Sequence, residues 1–446
     1  MQLSGRRALV VGLGKSGVAA ARLLATHGAW VAVADDKGGD ALAESLRQLE
    51  GVPYERHLAG LREEAFRGRD LVVVSPGVPL STHHLAEARA RGVEVIGEVE
   101  LASRFVEEPI LGITGTNGKS TTTALTAHLL RTAGKKVFAG GNLGDALSNR
   151  VLQGGKLDAT VCELSSYQLE GIVSLRCAAA TALNVTPDHL DRYPSLDAYA
   201  AAKERIFENQ RAGDAAVLNL ADARVAAMRT PAGVLRRGFD PRGRNAGAAG
   251  WRRSRSVLAA DGAEYDLRAP TLRGAHNAEN ALAALLLARH LGAPPWALQQ
   301  GLDTYPGLPH RLEPVRTLDG VEWVNDSKAT NVDSVEKSLS AFERGVVLIL
   351  GGRGKGAPYR PLRALFEGRV RALLTIGEDA PRIVEELGDL APVTACGDLR
   401  TAVAAARKLA RAGDTVLLSP ACASYDQFRN FEDRGEQFKA LVRELG

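Results

Sequence analysis

Cysteine is scarce in this chain: Cys162, Cys177, Cys396 and Cys422 are spread over 446 residues and form no C-x-x-C pair. That spacing excludes a disulfide-stapled scaffold and a thiolate zinc cluster, and leaves each thiol in or beside an apolar run as a small buried hydrophobe. Reduced cysteines fit a reducing compartment, so a cytoplasmic protein is expected. Long apolar runs are missing as well. None approaches the roughly 18 residues of a membrane-spanning helix, so no membrane insertion is expected. The first run, ALVVGLG, is too short for the core of a secretory leader and ends at Lys15. There is also no large excess of one charge: +4 over the whole length says little about partners. The one local excess, RRGFDPRGRNAGAAGWRRSRS, holds seven arginines between Arg236 and Arg255 but only Phe239 and Trp251 to stack on bases. A solvated loop or hairpin is favoured there over nucleic-acid contact.

What is present reads as a globular α/β protein. Hydrophobic residues make up 45% and charged residues 24%, and the length suits two to three domains. Apolar strand-like runs alternate with helical stretches in three successive segments, the pattern of mostly parallel, doubly wound sheets. RALVVG, WVAVADD, LVVVSPG and VEVIGE form the first segment; PILGITG, KVFAGGN, ATVCEL, TALNVT and AAVLNL the second; VEWVND, VVLILGG, VRALLTIG and TVLLSP the third. Boundaries near residues 100 and 308 give expected domains of 1–100, 101–307 and 308–446. Gly28 is placed to end the first helix. In such sheets ligands bind beyond the carboxyl ends of the strands, so the chemistry is sought there.

Two glycine motifs lie at such ends. Gly12, Gly14 and Gly17 have the spacing G-x-G-x-x-G, with Asp35 and Asp36 closing the next run, where a dinucleotide fold places its ribose-binding acid. In GITGTNGKST a strand empties into Gly115, Thr116, Asn117 and Gly118 before a helix opens at Lys119. Consecutive N–H groups and the positive helix end make an anion nest. Lys119 would reach the β and γ phosphates, and the Ser120 hydroxyl a Mg²⁺ ion. Ile113 stands where the usual pattern has its first glycine. A metal carboxylate is expected near a P-loop, and Glu163 ends the strand ATVCE; a surface glutamate is the alternative. His189 lies in NVTPDHLDRY between Asp188 and Asp191, as a solvated histidine or a ligand. In the helix SLDAYAAAKERIFENQ, capped by Ser195, the stripe Leu196, Tyr199, Ala200, Ile206 and Phe207 includes Lys203. Either Lys203 snorkels, or it is desolvated, loses its proton and takes up CO₂ as a metal-binding carbamate. The third segment offers three anion-suited loops: SKATN after VEWVND, GGRGKG with Arg353 and Lys355, and ACASYDQFRNFEDRG, with Ser424 near a helix start ahead of Phe428 and Phe431.

Taken together, GITGTNGKST, GGNLG, ELSSYQLE, LNVTPDHLDRYPSLDAYAAAKERIF, GAHNAENALAAL, GLPHR, NDSKATN, GGRGKG and LSPACASYDQFRNFEDRG resemble the Mur ligase family over nearly the whole length. The resemblance implies a Rossmann-like UDP-binding domain, a central P-loop ATPase domain and a Rossmann-like domain that brings an amino acid. It further implies ATP-dependent addition of D-glutamate to UDP-N-acetylmuramoyl-L-alanine through an acyl phosphate, in peptidoglycan precursor synthesis, by a monomer. Under it, the loop 115–118 with Lys119, Ser120 and Thr121 handles the phosphates, and Asn280, Arg311 and Asp326 contact ATP. Ser120 and Glu163 hold one Mg²⁺, while His189 and carbamylated Lys203 hold a second. Lys15, Ser16, Asp35, Asp36, Lys37, Ser75 and Gly77 meet the uridine end of the muramoyl substrate. Asn142, Ser165, Gln168 and His189 lie nearer the reacting carboxylate, and Lys328, Thr330, Lys355, Ser424 and Phe431 hold D-glutamate. The first glycine turn then cradles the diphosphate of UDP and not NAD. Other amino-acid-adding Mur ligases and folylpolyglutamate synthetases share the ATP core. The absence of D-N-P-R and the presence of SPACASYDQF favour the glutamate adder. An NAD oxidoreductase explains only the first segment.

Overall fold

The computed structural model describes residues 1–142, 144–188, 192–245, 247–252 and 257–446. His189 and Asp191 lie outside the described residues, as do Arg253 and Arg255. The described chain forms two compact units, Met1–Asp266 with Glu279–Leu302, and Leu267–Ala278 with Asp303–Gly446.

The first unit holds two sheets. One comprises β1 (Arg7–Val11), β2 (Trp30–Ala34), β3 (Tyr54–His57), β4 (Leu71–Val74) and β5 (Glu94–Gly97), all parallel in the order β3-β2-β1-β4-β5. Its central strands are valine- and alanine-rich because helices cover both faces. The second sheet runs from β6 (Ile110–Thr114) through β7 (Val137–Gly141), β8 (Ala159–Glu163), β9 (Ala179–Ala182), β10 (Ala215–Asn219), β11 (Leu235–Asp240), β12 (Ala249–Arg252) and β13 (Val257–Ala260) to β14 (Ala263–Asp266). Its order is β14-β13-β12-β11-β10-β9-β6-β8-β7, parallel except for the antiparallel β12-β13-β14 end. The arginine-rich stretch thus supplies β11 and half of a hairpin. Its cations have local acceptors: Arg237 pairs with Asp261 at 2.5 Å, Arg252 with Glu264 at 2.7 Å, and Arg236 donates to the Met228 carbonyl.

The second unit carries β15 (Glu313–Leu318), β16 (Val321–Asn325), β17 (Val346–Gly351), β18 (Val370–Ile376), β19 (Val393–Gly397) and β20 (Thr415–Leu418), in the order β15-β16-β20-β17-β18-β19. Only β15 runs antiparallel. Since β16, β20 and β17 are adjacent and parallel, their three following loops emerge at one edge, as the sequence anticipates.

All four cysteines are buried and free. Gly28 takes φ +80° after the helix Lys15–Thr26, and the Ser195 hydroxyl caps the helix Leu196–Glu204 by accepting the Ala198 N–H. Among the described residues no helix is long and apolar enough to cross a membrane.

Candidate active site

The first glycine turn is shaped by crowding. A Cβ on Gly17 would lie 1.8 Å from the Gly12 carbonyl oxygen and 2.8 Å from Ser75 Oγ, so the helix Lys15–Thr26 starts closer to β1 than any other residue allows. Ser75 donates its hydroxyl to Gly12 O at 2.7 Å, and Asp35 accepts the N–H groups of Leu13 and Lys37 at 2.7 and 2.9 Å. Asp36 accepts the Leu61 N–H. Asp35 therefore braces the turn, while Asp36 holds the loop at Leu61. Lys15, Asp36 and Lys37 stay exposed at its rim, Ser16 is half-buried, and the space around Gly77 is open. Gly17→Ala is expected to cost a few kcal/mol through forced backbone movement. Calorimetry should then find a lowered melting temperature.

The second turn carries more chemistry. Gly115 and Gly118 adopt φ +145° and +89°, and a Cβ on Gly118 would meet Asn280 Oδ1 at 2.3 Å. Thr116 and Asn117 give their N–H groups to the backbone oxygen and side-chain Oδ1 of Asn184, at 2.9 and 2.8 Å. This corrects the sequence expectation of an anion nest that includes them: they tie the loop to the exit of β9. The helix Lys119–Thr132 follows, with Ser120 buried, Thr121 half-buried and Thr122 donating to Asn280 Oδ1 at 3.2 Å. Lys119 folds back so that its Nζ donates to Gly115 O and Thr116 O at 2.9 and 2.8 Å.

Lys203 does not snorkel. It is 1% exposed, its Nζ donates to the same Gly115 oxygen at 2.9 Å, and the Tyr199 ring lies 4.2 Å from that nitrogen. Burial first, and then the charge of Lys119, bring its pKa down from 10.5 to about 6. An amine in that state is mostly neutral at neutral pH. The same burial pushes the Tyr199 hydroxyl up to about 12.

Glu163 is buried at the end of β8, which excludes the surface alternative. Its Oε1 accepts the exposed Asn142 amide at 2.7 Å, while Oε2 is buried without a hydrogen-bond partner. A bare buried carboxylate oxygen is costly unless something positive meets it. Together with the Ser120 hydroxyl it makes a hard-oxygen donor set, which fits Mg²⁺. Among the described residues no group of three or more His, Cys, Asp or Glu forms a self-contained metal cluster. Ser165 and Gln168 form a capping box at the helix Ser166–Glu170, with Gln168 Oε1 accepting the Ser165 N–H at 2.9 Å.

In the second unit Asp326 is buried, accepting the Leu312 N–H at 3.2 Å and the Ser338 and Ser419 hydroxyls at 2.6 and 2.8 Å. Burial raises its pKa to about 6, partly offset by these bonds and by the charge of Arg311. Arg311 sits between His310 and Leu312, both at positive φ, +64° and +42°, a conformation that non-glycine residues adopt at a cost. Lys328 Nζ lies 4.6 Å from the Phe431 ring centroid, and Thr330 is half-buried beside it. Lys355 is exposed, but Arg353 is not available as expected: it forms a two-bond pair with Glu378 at 2.9 and 2.8 Å. Nor does a helix start at Ser424. That residue is buried in a loop, and the helix Phe431–Glu444 begins later, where Asn430 caps it by accepting the Asp433 N–H.

Residues 6–97 match the family described as Mur ligase MurD-like N-terminal domain, 113–288 the Mur ligase middle domain, and 310–422 the Mur ligase glutamate ligase domain. The chain belongs to the Mur ligase family. This Mur ligase is 54% identical to the UDP-N-acetylmuramoylalanine--D-glutamate ligase of Myxococcus xanthus, each chain covered in full. It is 55% identical to the protein of the same name from Anaeromyxobacter dehalogenans, over 99% of this chain and 98% of that one. The solved UDP-N-acetylmuramate-alanine ligase of Thermotoga maritima shares its fold at a TM-score of 0.58 and 21% identity, covering 98% of this chain and 99% of that one.

Two residues of this Mur ligase escape the sequence reading. Arg434, 0% exposed, donates to Ser327 Oγ and O at 3.0 and 2.8 Å and to Cys422 O at 3.2 Å, holding two of the three loops together. Its signal is the one that exposes Lys203: a cation on the buried stripe Phe431, Arg434, Phe438, Val442. Arg192 lies over the Tyr167 ring at 3.9 Å and donates to Glu170 and to Pro76 O at 2.8 and 3.3 Å, joining the Ser75–Gly77 loop to the second sheet.

Proposed function

We propose that this Mur ligase joins D-glutamate to UDP-N-acetylmuramoyl-L-alanine with consumption of ATP, as a cytoplasmic monomer in peptidoglycan precursor synthesis, with domains 1–100, 101–307 and 308–446. The observation that carries the proposal is the convergence of Lys119 and Lys203 on Gly115 O, in the P-loop of a chain that resembles named D-glutamate ligases from end to end.

A free carboxylate resists attack by an amine because oxide would have to leave. In the proposed reaction a carboxylate oxygen of the muramoyl alanine attacks the γ phosphorus, and ADP departs. The D-glutamate amine then attacks the acyl carbon, phosphate leaves, an amide forms and the nitrogen releases its proton. Lys119 swings from its carbonyls to the β and γ phosphates, trading two neutral acceptors for an anion. Gly115, Gly118, Ser120 and Thr121 line the phosphates with Thr116 and Asn117 behind them, and Asn280, Arg311 and Asp326 meet the nucleotide. Glu163 and Ser120 would hold one Mg²⁺, and carbamylated Lys203 with His189 a second. Bound there, the ions supply Lewis-acid offset of phosphate charge. Lys15, Ser16, Asp35, Asp36, Lys37, Ser75 and Gly77 serve the uridine diphosphate, and Asn142, Ser165, Gln168 and His189 the muramoyl alanine. Lys328, Thr330, Lys355, Ser424 and Phe431 serve D-glutamate.

Purified protein is mixed with ATP, Mg²⁺, UDP-N-acetylmuramoyl-L-alanine and, in turn, D-glutamate, L-alanine or diaminopimelate, while phosphate release is followed. Release with D-glutamate alone is expected, with hydroxylamine trapping a muramoyl hydroxamate. Release with another amino acid instead, or a change in NADH absorbance without ATP, would overturn the reading.

A further inference from the structure

The helix Glu98–Ser103, which follows β5, carries two buried carboxylates that the ligation chemistry leaves unused. Glu100 is saturated: Oε2 accepts the N–H groups of Val173, Ser174 and Leu175, and Oε1 accepts the Ser174 hydroxyl and the Arg104 guanidinium. Glu98 is different. Its Oε1 accepts the Ser148 N–H at 2.7 Å, but its Oε2 has no partner, and the buried Ser148 hydroxyl has none either. Unpaired buried polar atoms are costly. Burial raises the Glu98 pKa, and its bond from the Ser148 N–H works against that rise.

What Glu98 grips matters more. The helix Leu147–Gln153 has Ala146 at its N-cap with no side-chain acceptor of its own, so Glu98 supplies one from the first sheet's side. Immediately ahead of that helix the Gly141 N–H closes on Asp145 O at 2.7 Å, and the Asn142 N–H donates to Glu163 O at 2.9 Å. The Asn142 amide then holds Glu163 Oε1. Slack is small at the other end also: Gly97 N–H donates to Gly171 O at 2.9 Å, and a Cβ on Gly171 would come 2.8 Å from Gly97 N.

Resting on the ligase reading, we propose that Glu98 is a positioning residue: it fixes the helix Leu147–Gln153, and through the Asn142 loop it aims Glu163 at the metal and phosphates. The sugar-nucleotide sheet and the phosphoryl-transfer site are thereby joined by a chain of four contacts, none of which touches substrate at Glu98 itself.

The test compares Glu98→Gln and Glu98→Ala with the unaltered protein in two assays. One is phosphate release as a function of Mg²⁺ concentration. The other is the rise in melting temperature on adding ADP with Mg²⁺, which needs no turnover. Glutamine keeps the Oε1 that accepts the Ser148 N–H and is expected to match the unaltered protein in both assays. Alanine is expected to raise the Mg²⁺ requirement and lower kcat by about 10-fold or more, the scale of removing an outer partner of a metal ligand, and to shrink the thermal shift. A folded alanine variant with native Mg²⁺ dependence overturns the proposal. So does a glutamine variant with a raised Mg²⁺ requirement, and this arm decides the matter alone if the alanine variant does not fold. Should the unaltered protein release no phosphate, the ligase reading fails instead, and the thermal shift still judges Glu98.

Discussion

Lys203→Ala is expected to lower kcat by at least about 100-fold, the scale of removing one charged stabiliser from a phosphoryl-transfer site, with partial recovery on adding formate or acetate. The reason lies in the burial of Lys203. An ammonium at that depth, beside Lys119, is held to a pKa of about 6, so at neutral pH the amine carries a lone pair able to add CO₂. The resulting carbamate puts an anion in place of a cation, and a small carboxylate can fill the vacated position. Stability should move the opposite way. The unfolded chain holds its Lys203 proton up to about pH 10.5 and the folded chain only up to about 6. Between those values the unfolded state binds more protons, so the lysine destabilises the fold. The penalty appears as pH falls through 10.5, grows towards 6 and is constant below. At pH 7.5 it amounts to a few kcal/mol. Lys203→Met should therefore melt several degrees higher than the unaltered protein in CO₂-depleted buffer at pH 7.5, with a narrower gap at pH 10. Full activity in Lys203→Ala, or a lower melting temperature in Lys203→Met, would remove the lysine from this role.

Glu163→Gln is the second large effect. Glutamine is isosteric and its carbonyl oxygen can still accept the Asn142 amide, so the fold should be untouched. What changes is the buried oxygen that has no protein partner. As a carboxylate it demands a cation; as an amide it does not. A fall in kcat of about 100- to 1,000-fold is expected, as when one preorganised electrostatic group is removed from an active site. Titration should find a weakened Mg²⁺ affinity, with ADP binding in the absence of Mg²⁺ unchanged. A variant that keeps its Mg²⁺ affinity would show that Glu163 holds no metal.

The sequence was most informative where local chemistry and tertiary role coincide. The valine-rich runs of β1, β4 and β17 announce buried parallel strands, and Gly115 through Ser120 can hardly be anything but a loop entering a helix. Lys203 was legible because a cation interrupts an apolar stripe. Among the strands missed are some with little to bury: β3 reads YERH and is half-exposed, and β19 sits at a sheet edge with most of its residues open to water. Arg353 looked like an anion ligand until Glu378, 25 positions away, came to meet it; no local pattern encodes such a pair. Thr116 and Asn117 misled for the same reason, since Asn184 claims their N–H groups from another strand's exit. The last helix starts at Phe431, seven positions beyond Ser424, because Asn430 offers the capping oxygen.

The central claim is that the turn at Lys119 lets the muramoyl carboxylate take the γ-phosphoryl group of ATP. The most direct measurement supplies UDP-N-acetylmuramoyl-L-alanine with both carboxylate oxygens labelled with ¹⁸O, together with ATP, Mg²⁺ and D-glutamate, and determines the isotope content of the released phosphate. An acyl phosphate requires each phosphate to leave with one labelled oxygen. Unlabelled phosphate accompanying amide formation would contradict the account.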